Sequence, residues 1–228
     1  MTAASLRQLG EKFGRLMELL ENADYERLRT LLHYQGLLLA GLACAAALIL
    51  GLGDLSTAGS IAARLDEDMQ ASLEQVLPED IYDNQPLHDV AHLSSAGEET
   101  GAADTEVYLA RKDGRVTGAA FRLVAPDGYS GNIALILGVD TEGRVLGVRV
   151  IAHAETPGLG DKIETAKSDW IKAFDGRALE GTRWQVKKDG GDFDQFAGAT
   201  ITPRAVVKRI QGGLEFFRRH RDAILGIP

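Results

Sequence analysis

The chain has 228 residues, 45% hydrophobic and 25% charged, room for one ordinary domain plus an attachment and a composition that argues against wholesale disorder. Its formal net charge of −8 argues against a nucleic-acid binder. The single cysteine, Cys44, excludes a disulfide framework, a cysteine-based zinc site and an iron–sulfur cluster held by this chain alone, so any redox chemistry needs another cofactor.

At the N-terminus, Leu6, Leu9, Phe13, Leu16, Met17 and Leu20 recur at helical spacing, with Arg7, Glu11, Lys12, Arg15 and Glu18 between them. The pattern predicts an amphipathic helix, lying on a membrane or against another protein of a complex. From Thr30 to Gly53 there follow 24 residues without Asp, Glu, Lys or Arg. About 20 apolar residues in a helix cross a hydrocarbon core of roughly 30 Å. Every face of the run is apolar, which disfavours a buried core helix, and it predicts a transmembrane helix. A cleavable signal is the closer rival, since Ser56 to Ser60 offers small residues, but the segment ahead of the run is long for a signal. Cys44 lies mid-span and reads as a small packing residue.

Charge sets the expected orientation. Arg27 and Arg29 precede the span, while Asp54 to Glu106 holds 13 acidic residues and one basic residue, Arg64. The positive-inside rule places the N-terminus in the cytoplasm and the rest outside, in a bacterial cell the periplasm. The acidic stretch reads as solvated linker and helix surface, with no metal-ligand spacing. The expected organisation is a cytoplasmic segment (1–30), a transmembrane helix (31–53), an acidic helix and linker (54–104) and a periplasmic domain (105–228).

Ile61 to Leu77 predicts a helix ended near Pro78, and a polar loop continues through Ser94, Ser95 and Gly101. The period then changes. Glu106 to Ala110, Val116 to Val124, Asn132 to Val139 and Arg144 to His153 read as strands, with turns at Lys112–Gly114 and Thr141–Gly143. They predict an antiparallel meander of about four strands. Trp170, Ile171 and Phe174 form a core-facing helical patch, and Trp184 to Val186 reads as one more short strand. In the last element, Thr202 is the expected N-cap and Pro203 the first helical residue. Val206, Ile210, Leu214 and Phe217 share one face, and Arg218, Arg219, His220 and Arg221 fall in the expected last turns. That basic cluster reads as a solvated helix end, or as a docking patch for an acidic partner. The expected fold class is α+β, a twisted antiparallel sheet with packed helices on a single N-terminal transmembrane helix.

Two segments are candidates for chemistry. The first runs from His153 to Ile163 and includes Glu155, Thr156, Pro157, Gly158, Leu159 and Gly160. Its proline and glycines define an unusual backbone path with little bulk, suited to close approach by a ligand. A Pro-Gly turn with an Asp161 helix cap would look the same. His153 and Glu155, two apart on a strand, point to one face, but a third ligand is missing and zinc is not expected. The second segment runs from Asp194 through Gly198, Ala199 and Thr200 to Thr202 and Pro203. A helix start offers unpaired N–H groups to a phosphate, and the small residues would admit a bulky group to the Thr200 hydroxyl. A plain helix start capped by Thr202 accounts for part of the same pattern. No P-loop or dinucleotide fingerprint is present.

Asp194…Ala197-Gly198-Ala199-Thr200 resembles the flavinylation motif of FMN-binding domains, in which a flavin transferase splits FAD and esterifies the FMN phosphate to the threonine. Gly128-Tyr129-Ser130-Gly131 and the Glu155–Gly160 loop match the same family in the same order. Within it the chain is most similar to the G subunits of Rnf (Rsx) electron-transport complexes, on Glu155 to Glu164 and Phe193 to Val207. The C subunits of sodium-pumping NADH:quinone oxidoreductases are the nearest alternative. Ala197 departs from the pattern, which often has Ser or Thr there.

The resemblance implies covalent FMN on Thr200, access through Gly198 and Ala199, and presentation of the motif by Asp194. It also implies that Glu155, Thr156, Gly158, Leu159 and Gly160 line the isoalloxazine or ribityl chain, with Thr202 in the same cofactor-binding set. No catalytic residue, metal or complete active site is implied on this chain. The implied function is an electron relay within an ion-translocating ferredoxin/NAD oxidoreductase of the bacterial inner membrane, a translocase. The implied partners are other subunits of the complex, the flavin transferase and the lipid bilayer, with no nucleic acid. An assembly protein that is never flavinylated is the contrasting reading.

Overall fold

A computed structural model describes residues 32–94, 97–102 and 104–226. The expected N-terminal amphipathic helix lies outside the described residues. The chain divides into two compact units between residues 62 and 63, within a helix α1 that runs Leu32–Val76.

In the first unit α1 is apolar all round, and its side chains, among them Leu37, Leu39 and Leu50, are exposed. It is the one helix among the described residues long and apolar enough to cross a membrane. The sequence suggests one helix ending at Gly53 and another starting at Ile61, but α1 is continuous. Between them lies no proline, and a glycine inside a helix costs only about 1 kcal/mol. The Thr57 hydroxyl also donates back to the Gly53 carbonyl at 2.9 Å, so it does not compete for a turn.

The second unit is built on a five-stranded antiparallel sheet in simple meander order: β1 (Val90–Ser94), β2 (Asp104–Lys112), β3 (Arg115–Gly128), β4 (Gly131–Asp140) and β5 (Val145–Ala152). A two-residue turn at Asp113–Gly114 joins β2 to β3, with Lys112 opposite Arg115. The β-branched and aliphatic runs recognised in the sequence became β2 to β5. The fifth strand, β1, lies in the stretch expected to be linker. It is short, polar in alternate positions and only partly buried, so its periodicity is weak. The free edge of β2 makes it a strand, through pairs such as Val90 with Tyr108. A short helix α2 (Gly97–Thr100) also interrupts the expected loop.

Alternation along the strands produces two apolar faces. Val107, Leu109, Phe121, Leu123, Leu135 and Leu137 point to one, and Tyr108, Ala110, Ala120 and Ile136 to the other. Against the second face lie Leu73 and Val76 from the end of α1 and Leu77 just past it. Full burial of one such side chain stabilises by roughly 1.5–3 kcal/mol, enough to hold this end of the helix to the sheet. The approach is close because Gly138 lies beneath it, and a Cβ there would strike the Val76 carbonyl.

The first face is covered by the terminal helix α3 (Ile201–Leu225), whose Val206, Ile210, Leu214 and Phe217 are buried as the stripe predicts. Phe216 adds a ring contact to Phe121 with centroids 5.5 Å apart. Two details differ from the sequence reading. The helix starts at Ile201, with Thr200 at the N-cap position, and the Thr202 hydroxyl caps nothing because it is bonded elsewhere. The helix also continues a turn past the basic cluster to a left-handed cap at Gly226. Within that cluster Arg219 pairs with the buried Glu99 at 2.8 Å, and Arg221 donates to the Thr141 carbonyl at 2.9 Å.

Beside α3 lies a layer of rings. Residues Asp169–Phe174 form a 3-10 helix with Trp170, Ile171 and Phe174 buried, begun by Ser168, whose hydroxyl accepts the Trp170 N–H. The expected strand at Trp184–Val186 reduces to a single bridge between Val186 and Phe193. Rings hold this segment instead, with Phe174 stacked on Phe193 at 4.4 Å and Trp184 at 5.2 Å from Phe193.

Candidate functional site

The two segments singled out in the sequence meet in space. A cavity of about 290 Å³ is lined by Tyr129, Glu155, Thr156, Leu159 and Gly160 on one side and by Gly198, Ala199, Thr200, Ile201 and Thr202 on the other. In the first set Tyr129 comes from the β3–β4 turn, and the others follow β5 in the loop that starts at His153. The second leads into the first turn of α3, where the leading N–H groups have no intrahelical partner.

Glu155 joins the walls. Its carboxylate is buried, accepts the Ser130 N–H at 3.0 Å through Oε1, and accepts the Thr202 hydroxyl through Oε2. One side chain thereby ties the β3–β4 turn, the loop and the helix start. A buried carboxylate without donors would be costly, and these two satisfy it. Gly160 passes so close that a Cβ would lie 2.7 Å from Glu155 Oε2 and 2.9 Å from the Thr202 hydroxyl. The demand of Glu155 for donors also explains why Thr202 does not cap α3.

Charges brace the outer side of the loop. His153 Nδ1 accepts the Glu155 N–H at 3.0 Å, so Nε2 carries the proton and donates to Glu164 at 2.7 Å. His153 and Glu155 therefore direct their side chains to different partners, because β5 ends at Ala152 and the strand alternation ends with it. Among the described residues no group of three or more His, Cys, Asp or Glu could hold a metal ion. Lys167 pairs with Asp161 at 2.9 Å and with Glu164 at 3.0 Å. The Gly158 N–H and the Lys167 ammonium hold the Asp161 carboxyl below its ordinary range. Lys167 and His153 do the same to Glu164, and the two carboxylates raise Lys167.

The opposite wall rests on rings. The Trp170 indole N–H donates to the Asp194 carbonyl at 2.7 Å, and its ring meets Phe196 edge-on at 5.1 Å. From Phe196 the chain turns back, with the Ala199 N–H donating to the Phe196 carbonyl at 3.2 Å, and reaches Thr200. The Asp194 side chain points away and pairs with Lys187 at 2.7 Å.

Of the residues singled out, Glu155, Thr156, Leu159, Gly160, Gly198, Ala199, Thr200 and Thr202 line the cavity, while Asp194 and Gly158 do not. Gly158 instead shapes the loop's turn, with a left-handed φ of 78°. Tyr129 and Ile201 line it without having been singled out for a role. Tyr129 carried a signal: an aromatic residue in a Gly-Tyr-Ser-Gly turn is 67% exposed, with little packing reason to be there. The cavity combines exposed apolar groups (Tyr129, Leu159, Ile201), a lining threonine at position 200 and a helix N-terminus. It suits a ligand with a flat apolar part and an anionic end.

Residues 128–215 match the family model of the FMN-binding domain. The chain is 51% identical to the G subunit of the ion-translocating oxidoreductase complex of Cereibacter sphaeroides over 193 residues, covering 83% of this chain and 86% of the relative. It is 50% identical to the corresponding G subunit of Stutzerimonas stutzeri over 202 residues, 87% of this chain and 86% of the relative. Against the G subunit of Vibrio vulnificus the identity is 43% over 196 residues, 85% and 92% of the two chains.

Proposed function

Because this chain belongs to the family of G subunits of ion-translocating oxidoreductase complexes, we propose that it is a membrane-anchored flavoprotein, with FMN esterified to Thr200, that relays electrons inside such a complex. The supporting observation is the meeting of the Glu155–Gly160 loop and the Gly198–Thr202 segment around one cavity, with Thr200 among the residues that line it. The cavity fits the cofactor in kind. Tyr129, Leu159 and Ile201 offer apolar surface for the ring system, and the first N–H groups of α3 suit the singly charged phosphodiester that would join the ribityl chain to Thr200.

FMN, once bound, supplies the electron-transfer chemistry. This chain attaches, orients and partly shields it. In the attachment the Thr200 Oγ bonds to the FMN-side phosphorus of FAD, the pyrophosphate P–O bond breaks, AMP leaves and the hydroxyl proton is lost. Gly198 and Ala199 keep the approach open, since neither carries bulk beyond a methyl group. Glu155 holds the loop and the helix start together, so that the ring faces a constant surface. The covalent bond suits a cofactor outside the cytoplasm, where a dissociated flavin would be lost by dilution.

In this reading residues 31–53 span the bacterial inner membrane. The 1–30 segment is cytoplasmic, 54–104 leads out from the bilayer, and 105–228 is the periplasmic FMN domain. The acidic flank after the span and the arginines before it support that orientation. The partners are the other subunits of a ferredoxin/NAD-linked complex, the lipid bilayer and, during maturation, a flavin transferase.

Intact mass of the full chain, coexpressed with its flavin transferase, tests the attachment. The expected result is an added FMN phosphoryl mass that is absent from Thr200→Ala. An unmodified mass for the unsubstituted chain, or a modified Thr200→Ala, would overturn it.

A further inference from the structure

We propose that Trp170 is a positioning residue for the modification at Thr200: it sets the geometry of the acceptor segment, 24 positions away from its hydrogen-bond partner Asp194. The inference rests on the covalent reading above and concerns a residue outside the cavity.

The acceptor segment has little structure of its own. Between Asp194 and Thr200 it forms no strand or helix, only an isolated bridge between Phe196 and Ala199 with a left-handed Gly198 between them. Such a segment holds a hydroxyl in one place only if something outside it does the holding. Trp170 holds it twice. Its Nε1–H donates to the Asp194 carbonyl at 2.7 Å, and its ring packs edge-on against Phe196 at 5.1 Å. Both Trp170 and Phe196 are buried.

Trp170 is itself well placed to act as a support. The Ser168 hydroxyl accepts its backbone N–H at 3.1 Å and starts the 3-10 helix that carries it. Phe174, one turn on, also meets it edge-on, at 5.3 Å, and stacks on Phe193. The support therefore runs from the buried ring layer through Trp170 to both ends of Asp194–Phe196. From there the Ala199 N–H to Phe196 carbonyl bond carries it to the residue before Thr200. Exposed polar contacts add less: Lys187 pairs with Asp194, and the Lys188 N–H donates to the Gln195 side chain at 3.2 Å.

Transfer of a phosphoryl group depends on the orientation of the attacking oxygen, and a small misplacement lowers the rate more than it lowers binding. Trp170→Phe keeps a ring beside Phe196 and removes the Nε1–H. The full-length chain, made without transferase, is titrated with purified flavin transferase and FAD while covalent FMN per chain is followed.

The expected result is a fall of about ten-fold in kcat for transfer, the size of one lost hydrogen bond, with KM for the chain unchanged. The unfolding midpoint is read alongside. Phe196→Leu keeps apolar volume but removes the ring edge; it is expected to lower kcat in the same way, and it serves if the tryptophan variant does not fold. A kcat within two-fold of the unsubstituted chain in a folded variant would overturn the proposal. So would a raised KM with kcat unchanged, which would make Trp170 a contact for the transferase. No transfer to the unsubstituted chain would overturn the covalent reading itself, and this inference with it.

Discussion

The two walls of the cavity are built from different materials. The loop wall, from His153 to Ile163, is held by charges and polar hydrogen bonds: Glu155 to Ser130 and Thr202, His153 to Glu164, and Lys167 to Asp161 and Glu164. The other wall, from Asp194 to Thr200, is held mainly by Trp170, Phe196 and the ring layer behind them, with the indole N–H on the Asp194 carbonyl and exposed contacts from Lys187 and Lys188 at its start. Polar bonds specify direction closely but titrate and tolerate few losses. Aromatic packing is insensitive to pH and distributes its energy over many contacts. The wall that carries Thr200 is held by buried rings. The loop that lines the cavity is braced from the side by charge.

Substitutions separate these two kinds of support, and the largest effect belongs to the ring wall. Phe196→Ala removes a buried ring that touches Trp170 and is expected to destabilise the second unit by about 3–5 kcal/mol in denaturant unfolding, with no dependence on pH between 5 and 8. A smaller loss is expected for Glu155→Ala. The Ser130 N–H and the Thr202 hydroxyl then lose their acceptor, at a cost of about 1–3 kcal/mol. Amide exchange at Ser130 should rise with it, whereas equal exchange in both proteins would show that Glu155 does not join the walls.

The smallest effect is the most diagnostic. The Asp161 carboxyl lies below its ordinary value of 3.8 in the folded chain, held there by the Gly158 N–H and Lys167. Its pairing therefore stabilises fully above that ordinary value and is lost as pH falls through the lower folded one. Asp161→Asn should lower the thermal midpoint at pH 7; the gap from the unsubstituted chain should begin to close as pH falls below about 4 and vanish only below the lower folded value, where Asp is protonated in both states. A gap that stays constant with pH would mean that Asp161 acts through shape rather than charge. The same titration applied to Phe196→Ala gives the contrasting, flat line.

Several elements were legible because their signals are local. The apolar run after Thr30 becomes α1, the alternation in β2 to β5 places two faces, and the Val206–Ile210–Leu214–Phe217 stripe becomes the buried side of α3. The eight cavity-lining residues singled out from the sequence lie in two short stretches of small and polar residues, which is why composition points to them. What escaped depends on neighbours distant in sequence. β1 is a strand because β2 has a free edge, and Trp184–Val186 is not one because rings hold that segment. Trp170 reads in the sequence only as a core residue, since nothing in its own stretch indicates that its indole N–H reaches Asp194.

Thr202 shows where the division falls. By sequence alone it is a hydroxyl one residue before a proline at a helix start, and local chemistry makes it a cap. In the folded chain it belongs to Glu155, 47 residues earlier, and α3 begins before it. The physical reason is the difference in what each group loses when left alone. The first N–H groups of a helix near the surface can turn to water, but a buried carboxylate has no such recourse and takes the nearest donor. Local pattern thus determined most of the helices and strands and both cavity walls, through propensity, periodicity and the bulk of single residues, but not β1 or the segment at Trp184–Val186. Burial determined which of their polar atoms would meet, and burial exists only once the sheet, the ring layer and α3 have come together.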